Sequence, residues 1–206
     1  MKPIKTAGTM YENIHEHPIA GVDEAGRGAI AGPVVACACV MPKNLVIEGV
    51  YDSKKLTKIK RDELANKIKL CAVCFAYGTI DAKKIDEINI HQATLAAMQN
   101  ALKGLSVIPK TVLVDGLYPP PSPFPIVCVK GGDSLSHSIA CASILAKVYR
   151  DGLMEKKHTE YPPYGFNAHK GYGTKKHFEA VFEHGLSPLH RVTFLQKAMD
   201  SRINHE

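Results

Sequence analysis

Apolar residues along the chain fall into short runs separated by longer amphipathic stretches. The short runs are bounded by glycine, proline or acidic residues, which predicts buried β-strands at 18–23, 34–41, 71–80, 111–116 and 126–130. Apolar positions at near-helical spacing predict helices at 57–70, 84–103, 134–157, 174–184 and from about Thr193 onward. This alternation favours an α/β fold in which helices cover both faces of a mixed β-sheet.

The domain organisation follows from the length and composition. A chain of 206 residues with 45% hydrophobic and 22% charged residues is typical of one well-cored globular domain. We expect residues 1–17 to form a short leader and residues 18–206 to form a single domain that includes the C-terminal helical segment. The leader has no apolar core of a signal peptide, and no run approaches the roughly 18 residues needed to span a bilayer. We therefore expect a cytoplasmic protein that does not bind membranes.

Six cysteines occur in the chain, mostly within apolar strand-like runs. This placement favours small buried thiols in a reducing compartment over disulfides. Cys71 and Cys74 form a C-x-x-C pair, but no second pair stands at the spacing of a zinc site. Core cysteines are the preferred interpretation.

The formal net charge of +6 is unevenly distributed. Between Glu155 and His177 there are five lysines and three histidines against two glutamates. A charge run of this kind is usually a solvated face, whereas a phosphate-rich partner is the more specific interpretation. Both remain open at this point.

Four acidic residues stand at comparable places beside predicted strands. Asp23 and Glu24 close the first strand, Asp115 closes the run "TVLVD", and Asp133 follows the last strand through "KGGD". Individually they could be solvated, turn-forming or helix-capping residues. If they converge at one sheet edge, their repulsion predicts a bound cation, and oxygen ligands favour Mg²⁺. Two such ions could activate water and stabilise the leaving oxygen of a phosphodiester.

Six blocks of the sequence resemble, in order, the blocks of the ribonuclease HII family. They are "GVDEAGRG", "DSKKL", "LVDG", "GDSLSHSIACASILAKVYRD", "YGFNAHKGYGT" and "GLSPLHR", and the resemblance covers roughly residues 18–195. It implies a ribonuclease H-like fold and an endonuclease that cuts the RNA strand of RNA-DNA hybrids. It also implies nicking on the 5′ side of single ribonucleotides embedded in duplex DNA, which leaves 3′-hydroxyl and 5′-phosphate ends.

The same resemblance implies a metal site and a sensor of the 2′-hydroxyl group. The metal ligands would be Asp23, Glu24, Asp115 and Asp133, which would hold two Mg²⁺ or Mn²⁺ ions. The turn Gly26-Arg27-Gly28 would contact the 2′-hydroxyl, because glycines let the backbone approach a sugar closely. Tyr172 would pack its ring on the neighbouring sugar. The alternatives are a plain hairpin bend for the turn and half-buried packing for the tyrosine.

Several basic residues are candidate contacts to the substrate phosphates. They are Lys54, Lys147, Arg150, His169, Lys170, His190 and Arg191. Each qualifies only if its element faces the cleft. Arg191 could instead form a structural ion pair, and Asp151 could support a neighbouring cation.

Small departures from the family pattern affect these expectations. The second glycine of "KGGD" could shift Asp133, and Cys141 and Tyr149 replace residues that are commonly alanine and threonine. The related ribonuclease HIII type usually has an added N-terminal domain and lacks the arginine at position 27, so type HII is preferred. We expect a monomer. A metal-dependent DNA nuclease on the same fold and a catalytically silent binding module are the rival classes.

Overall fold

A five-stranded mixed sheet forms the centre of the structure, a computed structural model that describes residues 5–196. Its strands are β1 Ile19–Ala25, β2 Val34–Val40, β3 Cys74–Ile80, β4 Thr111–Asp115 and β5 Ile126–Val129, in the spatial order β3-β2-β1-β4-β5. The first three strands pair antiparallel, whereas β1, β4 and β5 pair parallel. The α/β class and the mixed sheet predicted from the sequence are confirmed.

Helices α2 Lys58–Cys71 and α5 His137–Glu160 cover one face of the sheet, and α3 Ala82–Lys103 covers the other. The other helices are α1 Met10–Ile14, α4 Gly132–Leu135, α6 Phe166–His169 and α7 Lys175–His184. A further helix begins at residue 192, close to the predicted start, and positions 197–206 of the predicted C-terminal segment lie outside the described residues. No helix among residues 5–196 combines the length and the apolar character needed to cross a membrane.

Strand β2 shows why both faces of the sheet need a helical cover. Every residue of this strand is buried, and its side chains alternate between two cores. Cys37 and Cys39 face the core formed with α2 and α5, whereas Ala36 and Ala38 face the core formed with α3. The continuous apolar run "VVACACV" is therefore typical of a strand covered on both faces.

Helices α5 and α3 and the start of strand β3 differ from the prediction, each for a local reason. Helix α5 begins at His137 because Ser136 caps it by accepting a hydrogen bond from the backbone N–H of Ile139. Helix α3 is interrupted at Asn89, whose φ is 64° and whose side chain accepts from two backbone N–H groups that follow. Cys71 is the exposed last residue of α2 and does not begin strand β3.

The segment predicted as a leader contacts the domain through α1. Glu12 accepts hydrogen bonds from the Ser136 hydroxyl at 2.6 Å and from the Ser138 N–H at 2.8 Å. The Ala7 N–H donates to the Val50 carbonyl at 2.8 Å. These contacts attach the described part of the segment to the start of α5.

Helix α5 lies unusually close to β1, and a glycine makes this possible. A Cβ atom at Gly21 would stand 2.1 Å from the carbonyl carbon of Ser138. The helix presents small buried residues to the sheet, among them Ala140, Ala142 and Ala146. The close approach brings the middle of α5 against the strand that carries the first pair of acids.

We predict that Gly21→Ala destabilises the fold by about 3 kcal/mol or more, because backbone atoms of α5 must move to admit the methyl group. Gly152→Ala is the matched control, since a Cβ there meets nothing within 4 Å. As a helix-interior substitution it should stabilise the fold by about 0.5–1 kcal/mol. Urea unfolding measures both values. Equal stability of the two variants would contradict the close packing of α5 on β1.

Candidate active site

The parallel pairing of β1 and β4 places two acids side by side. Val22 lies opposite Val114, so the next residues, Asp23 and Asp115, continue neighbouring strands at the same sheet edge. Paired strands lie about 4.8 Å apart. Strand β1 continues to Ala25, so Asp23 lies within the strand and not at its end as expected.

Hydrogen bonds from the surrounding backbone orient the two carboxylates. The Glu24 N–H donates to Asp23 at 2.7 Å, and the side chain of Ser143 on α5 adds a second hydrogen bond to Asp23. The Gly132 N–H donates to Asp115 at 2.7 Å. The turn after β5 is thereby attached to the end of β4.

Burial and mutual repulsion make this cluster electrostatically unfavourable. Burial raises the pKa of Asp23 well above its ordinary value, and the charges of Glu24 and Asp115 raise it further. Burial also raises the pKa of Glu24, which Arg27 partly offsets from 3.7 Å and Asp115 reinforces. Asp115 is the common neighbour, because its charge also raises the pKa of Asp133, after the larger effect of burial and that of Asp52.

Asp133 is half-buried in α4, and both preceding glycines have a structural reason. Gly131 adopts a left-handed conformation with φ 68° at the helix start. A Cβ at Gly132 would stand 2.5 Å from the Ile139 side chain and 3.4 Å from the Asp115 carboxylate. The two glycines allow the turn to pack against β4, close to the acids.

The chemistry of this cluster fits a hard divalent cation. A cation would remove the repulsion that raises the pKa values of three of the carboxylates. Among residues 5–196, however, no three His, Cys, Asp or Glu side chains stand close enough to form a complete metal cage. Mg²⁺ is commonly held by one or two carboxylates, with water or phosphate oxygens filling the other positions. The acids of this cluster match such a partial set of protein ligands, which leaves positions for water or phosphate oxygens.

The turn at Gly26-Arg27-Gly28 follows directly after the acids. Gly26 has φ 94°, and a Cβ there would overlap the side chain of Arg150, so only glycine fits. Arg27 and Gly28 are exposed, and a Cβ at Gly28 would meet nothing within 4 Å. The outer side of the turn is open to an approaching ligand.

Two buried arginines that were predicted as phosphate contacts donate to backbone carbonyl groups of this turn and of the residues that follow it. Arg191 is fully buried and donates to the carbonyl groups of Gly26 at 2.8 Å, Arg27 at 2.9 Å and Gly32. Arg150 is also fully buried and donates to the carbonyl groups of Ala31, Pro33 and Lys170. Because both guanidinium groups are buried and donate to backbone carbonyl groups, neither arginine is available to a phosphate.

Tyr172 lies beside the glycine turn. The carbonyl of Gly171 accepts from the N–H groups of Ile30 and Ala31 at 2.9 and 3.1 Å, which joins the two loops. The Tyr172 ring is half-buried, with the guanidinium carbon of Arg150 5.3 Å and the ammonium nitrogen of Lys147 5.4 Å from its centroid. These distances are typical of cation–π contacts that orient a ring.

Two of the remaining basic candidates, Lys54 and Lys147, lie near the acids or the Tyr172 ring. Lys54 is exposed, and its charge lowers the pKa values of both Glu24 and Asp133, which places it beside the acids. Lys147 is half-buried and pairs with Asp151 at 2.7 Å.

His169, Lys170 and His190, which were predicted as phosphate contacts, bond to other groups of the protein. Both ring nitrogens of His169 bond to backbone, at Tyr164 and Gly171. Lys170 pairs with Glu155 at 2.9 Å and with the Asn167 carbonyl. His190 is buried and bonds through both ring nitrogens.

Sequence reasoning missed three residues near the site. After burial, the charge of Asp52 raises the pKa of Asp133. Ser143 bonds to Asp23, and His177 bonds to the backbone carbonyl of Tyr172. Asp52 and Ser143 stand within conspicuous blocks, but nothing in a single sequence separates them from structural neighbours. His177 stands five positions after Tyr172, and a lone histidine at a helix start carries no periodic signal.

Comparison with known proteins gives concordant results. A family model described as Ribonuclease HII matches residues 20–197. Ribonuclease HII of Geotalea daltonii is 53% identical over 176 residues, which are 85% of this chain and 82% of that protein. The crystal structure of ribonuclease H2 from Pyrococcus horikoshii OT3 is similar with a TM-score of 0.74 at 27% identity, covering 91% of this chain and 99% of that one.

A more distant similarity concerns the fold alone. The structure of Bst-RNase HIII in complex with Mn²⁺ has a TM-score of 0.64 at 15% identity, covering 88% of this chain and 69% of that one.

We predict that Asp23→Asn raises the melting temperature in the absence of divalent ions. A carboxylate whose pKa is raised by folding destabilises the folded state above that pKa, and the penalty disappears as the pH falls through it. At pH 7.5 in chelator, the neutral amide should raise the melting temperature by several degrees, since each kcal/mol is worth about 2–4 °C in a chain of this size.

Adding Mg²⁺ in the same experiment should raise the melting temperature of the native chain more than that of Asp23→Asn. The reason is that binding of the ion to the folded state adds stability. Glu63→Gln on the exposed face of α2 is the control and should change neither value. A native chain that is insensitive to Mg²⁺ would contradict a cation site at Asp23.

Proposed function

This chain belongs to the ribonuclease HII family of metal-dependent endoribonucleases that act on RNA-DNA hybrids, and we propose that it also nicks duplex DNA at single embedded ribonucleotides. The cut would fall on the 5′ side of the ribonucleotide and leave 3′-hydroxyl and 5′-phosphate ends. One observation carries the proposal. The buried and half-buried acids, the open Gly26–Gly28 turn and the Tyr172 ring are linked through neighbouring elements of a single region.

The proposed chemistry assigns the acids Asp23, Glu24, Asp115 and Asp133 as ligands of two Mg²⁺ or Mn²⁺ ions. Such ions, when bound, would activate a water molecule and stabilise the leaving oxygen of the phosphodiester. The Mn²⁺ complex of Bst-RNase HIII supports the use of a divalent ion by this fold. The chain itself contributes orientation, since the N–H groups of Glu24 and Gly132 direct Asp23 and Asp115.

Discrimination of a ribonucleotide requires groups that contact its 2′-hydroxyl. Within residues 5–196 no acceptor is bonded to the N–H groups of Arg27 and Gly28, so both remain available to a ligand. Arg191 fixes the carbonyl groups of Gly26 and Arg27 from the buried side. A backbone held in this way can donate to or accept from one hydroxyl group without reorganising.

The substrate surface that we propose is smaller than the run of positive charge suggested. Within residues 5–196 we assign Arg27, Lys54 and Lys147 to this surface, because they lie near the acids or the Tyr172 ring and are not fully buried. These residues are suited to phosphates that flank the cleaved bond. Binding by the monomer to a hybrid or to a ribonucleotide-containing duplex is the partner interaction that we propose.

We predict that the protein with Mg²⁺ or Mn²⁺ nicks a labelled duplex with one ribonucleotide and leaves the identical all-DNA duplex intact. The 2′-hydroxyl is the single difference between the two substrates. Gel separation of the labelled strand, with the same assay in chelator as the control, measures both rates. Comparable cutting of both duplexes would indicate a DNA nuclease on this fold and contradict the proposed specificity.

We predict that Tyr172→Ala lowers the nicking rate at a single ribonucleotide at least about tenfold while duplex affinity changes less than about threefold, because the ring acts on positioning. Tyr149→Ala is the control, since that partly exposed ring stacks on Tyr77. Single-turnover nicking and fluorescence anisotropy measure the two quantities. A large loss of affinity with an unchanged rate would assign Tyr172 to binding alone.

A further inference from the structure

A group of three histidines lies behind the loop that carries Tyr172. His177 stands in the first turn of α7 and His190 precedes Arg191, and both are buried. Their Nε2 atoms are 3.1 Å apart. The Nδ1 atom of His177 lies 2.9 Å from the backbone carbonyl oxygen of Tyr172. These rings are therefore linked to each other and to the tyrosine loop.

The surrounding backbone determines which nitrogen of each ring carries the proton. The Tyr172 carbonyl can only accept, so His177 carries its proton on Nδ1. In the neutral ring Nε2 of His177 is then unprotonated and accepts from the Nε2–H of His190. The Nδ1 atom of neutral His190 is therefore unprotonated and accepts from the Ser187 N–H at 2.9 Å. The three bonds form one chain with a single direction.

The third ring fixes the plane of His177. His169 accepts from the Gly171 N–H at its Nδ1, so its Nε2–H donates to the Tyr164 carbonyl at 2.7 Å. Its ring stacks on that of His177, with centroids 4.1 Å apart and planes 17° from parallel. His177 is consequently held both in its plane and at its two nitrogens.

Only neutral rings permit this chain of hydrogen bonds. A second proton on His177 would place its Nε2–H opposite the Nε2–H of His190 across 3.1 Å, and a second proton on His190 would place its Nδ1–H opposite the Ser187 N–H across 2.9 Å. Burial lowers the pKa of His177 to about 4 and also lowers that of His190. Both rings are neutral at pH 7, as the geometry requires.

We infer that His177 and His190 are positioning residues that set the place of the Tyr172 ring over the substrate sugar. The chain of hydrogen bonds through His190 and His177 holds the Tyr172 backbone, while Arg150 and Lys147 contact the Tyr172 ring. The ring orientation thus depends on two independent supports. This inference rests on the proposed function, since it assumes that Tyr172 acts in cleavage at a ribonucleotide.

A double-mutant cycle separates this role from general stabilisation. His177→Phe keeps a ring that can stack on His169 but removes both hydrogen bonds. We expect it to lower single-turnover nicking at one ribonucleotide at least about tenfold, with duplex affinity changed less than about threefold. In the Tyr172→Ala background the same substitution should lower nicking less than about twofold, because its target is gone.

Two further variants keep the test valid if His177→Phe does not fold. His177→Asn retains an N–H donor near the Nδ1 position, whereas His177→Gln places its amide near the Nε2 position. We expect Asn to restore most of the nicking rate and Gln to restore little, at similar melting temperatures. Equal rates for the two would overturn the inference.

The outcomes distinguish the inference from the function on which it rests. Equal losses from His177→Phe in the native and Tyr172→Ala backgrounds would assign the histidine to the fold alone and overturn the inference. If Tyr172→Ala itself leaves nicking unchanged, the proposed role of Tyr172 fails and the inference fails with it. If Tyr172→Ala impairs nicking but His177→Phe does not, the inference alone fails.

Discussion

Repulsion between carboxylates at one edge of the sheet determines what the site can bind. The parallel pairing of β1 with β4 brings Asp23 beside Asp115, and Glu24 adds a third negative charge next to the buried Asp23. Such a cluster lowers the stability of the fold. It persists because the strand register, the close packing of α5 at Gly21 and the backbone donors of Glu24 and Gly132 determine the geometry. The unfavourable charge in turn favours binding of a cation.

Two arginines connect this edge to the groups that we propose for ribonucleotide recognition. Arg191 supports the carbonyl groups of the Gly26-Arg27-Gly28 turn, and Arg150 links the chain after that turn to the carbonyl of Lys170. Burying a guanidinium group is costly unless its donors are bonded, and here backbone carbonyls accept them. The turn and the Tyr172 loop are therefore fixed relative to the strand that carries the acids. A ligand that reaches the acids would meet recognition groups that are already in place.

Much of the fold could be predicted from periodicity, and the failures have physical causes. The strands and helices could be predicted because burial imposes their periods. The position of Asp23 beside Asp115 follows from the parallel pairing of β1 and β4, although β1 continues past Asp23 to Ala25. Asn89 interrupts α3 because its side chain caps the second segment, a choice that apolar spacing does not reveal. Arg150 and Arg191 were predicted as phosphate contacts because the sequence does not show whether an arginine side chain faces solvent or donates to backbone carbonyl groups. The link between His177 and Tyr172 depends on hydrogen bonds that no spacing rule encodes.

The claim that these acids hold divalent ions is tested most directly by anomalous diffraction from crystals of the protein with Mn²⁺ and a ribonucleotide-containing duplex. We expect anomalous peaks within about 2–2.5 Å of carboxylate oxygens of Asp23 and Asp115. These peaks should be lost when Asp23 is replaced by asparagine. Well-ordered carboxylates with bound duplex and no anomalous density between them would show that these acids do not hold the ions.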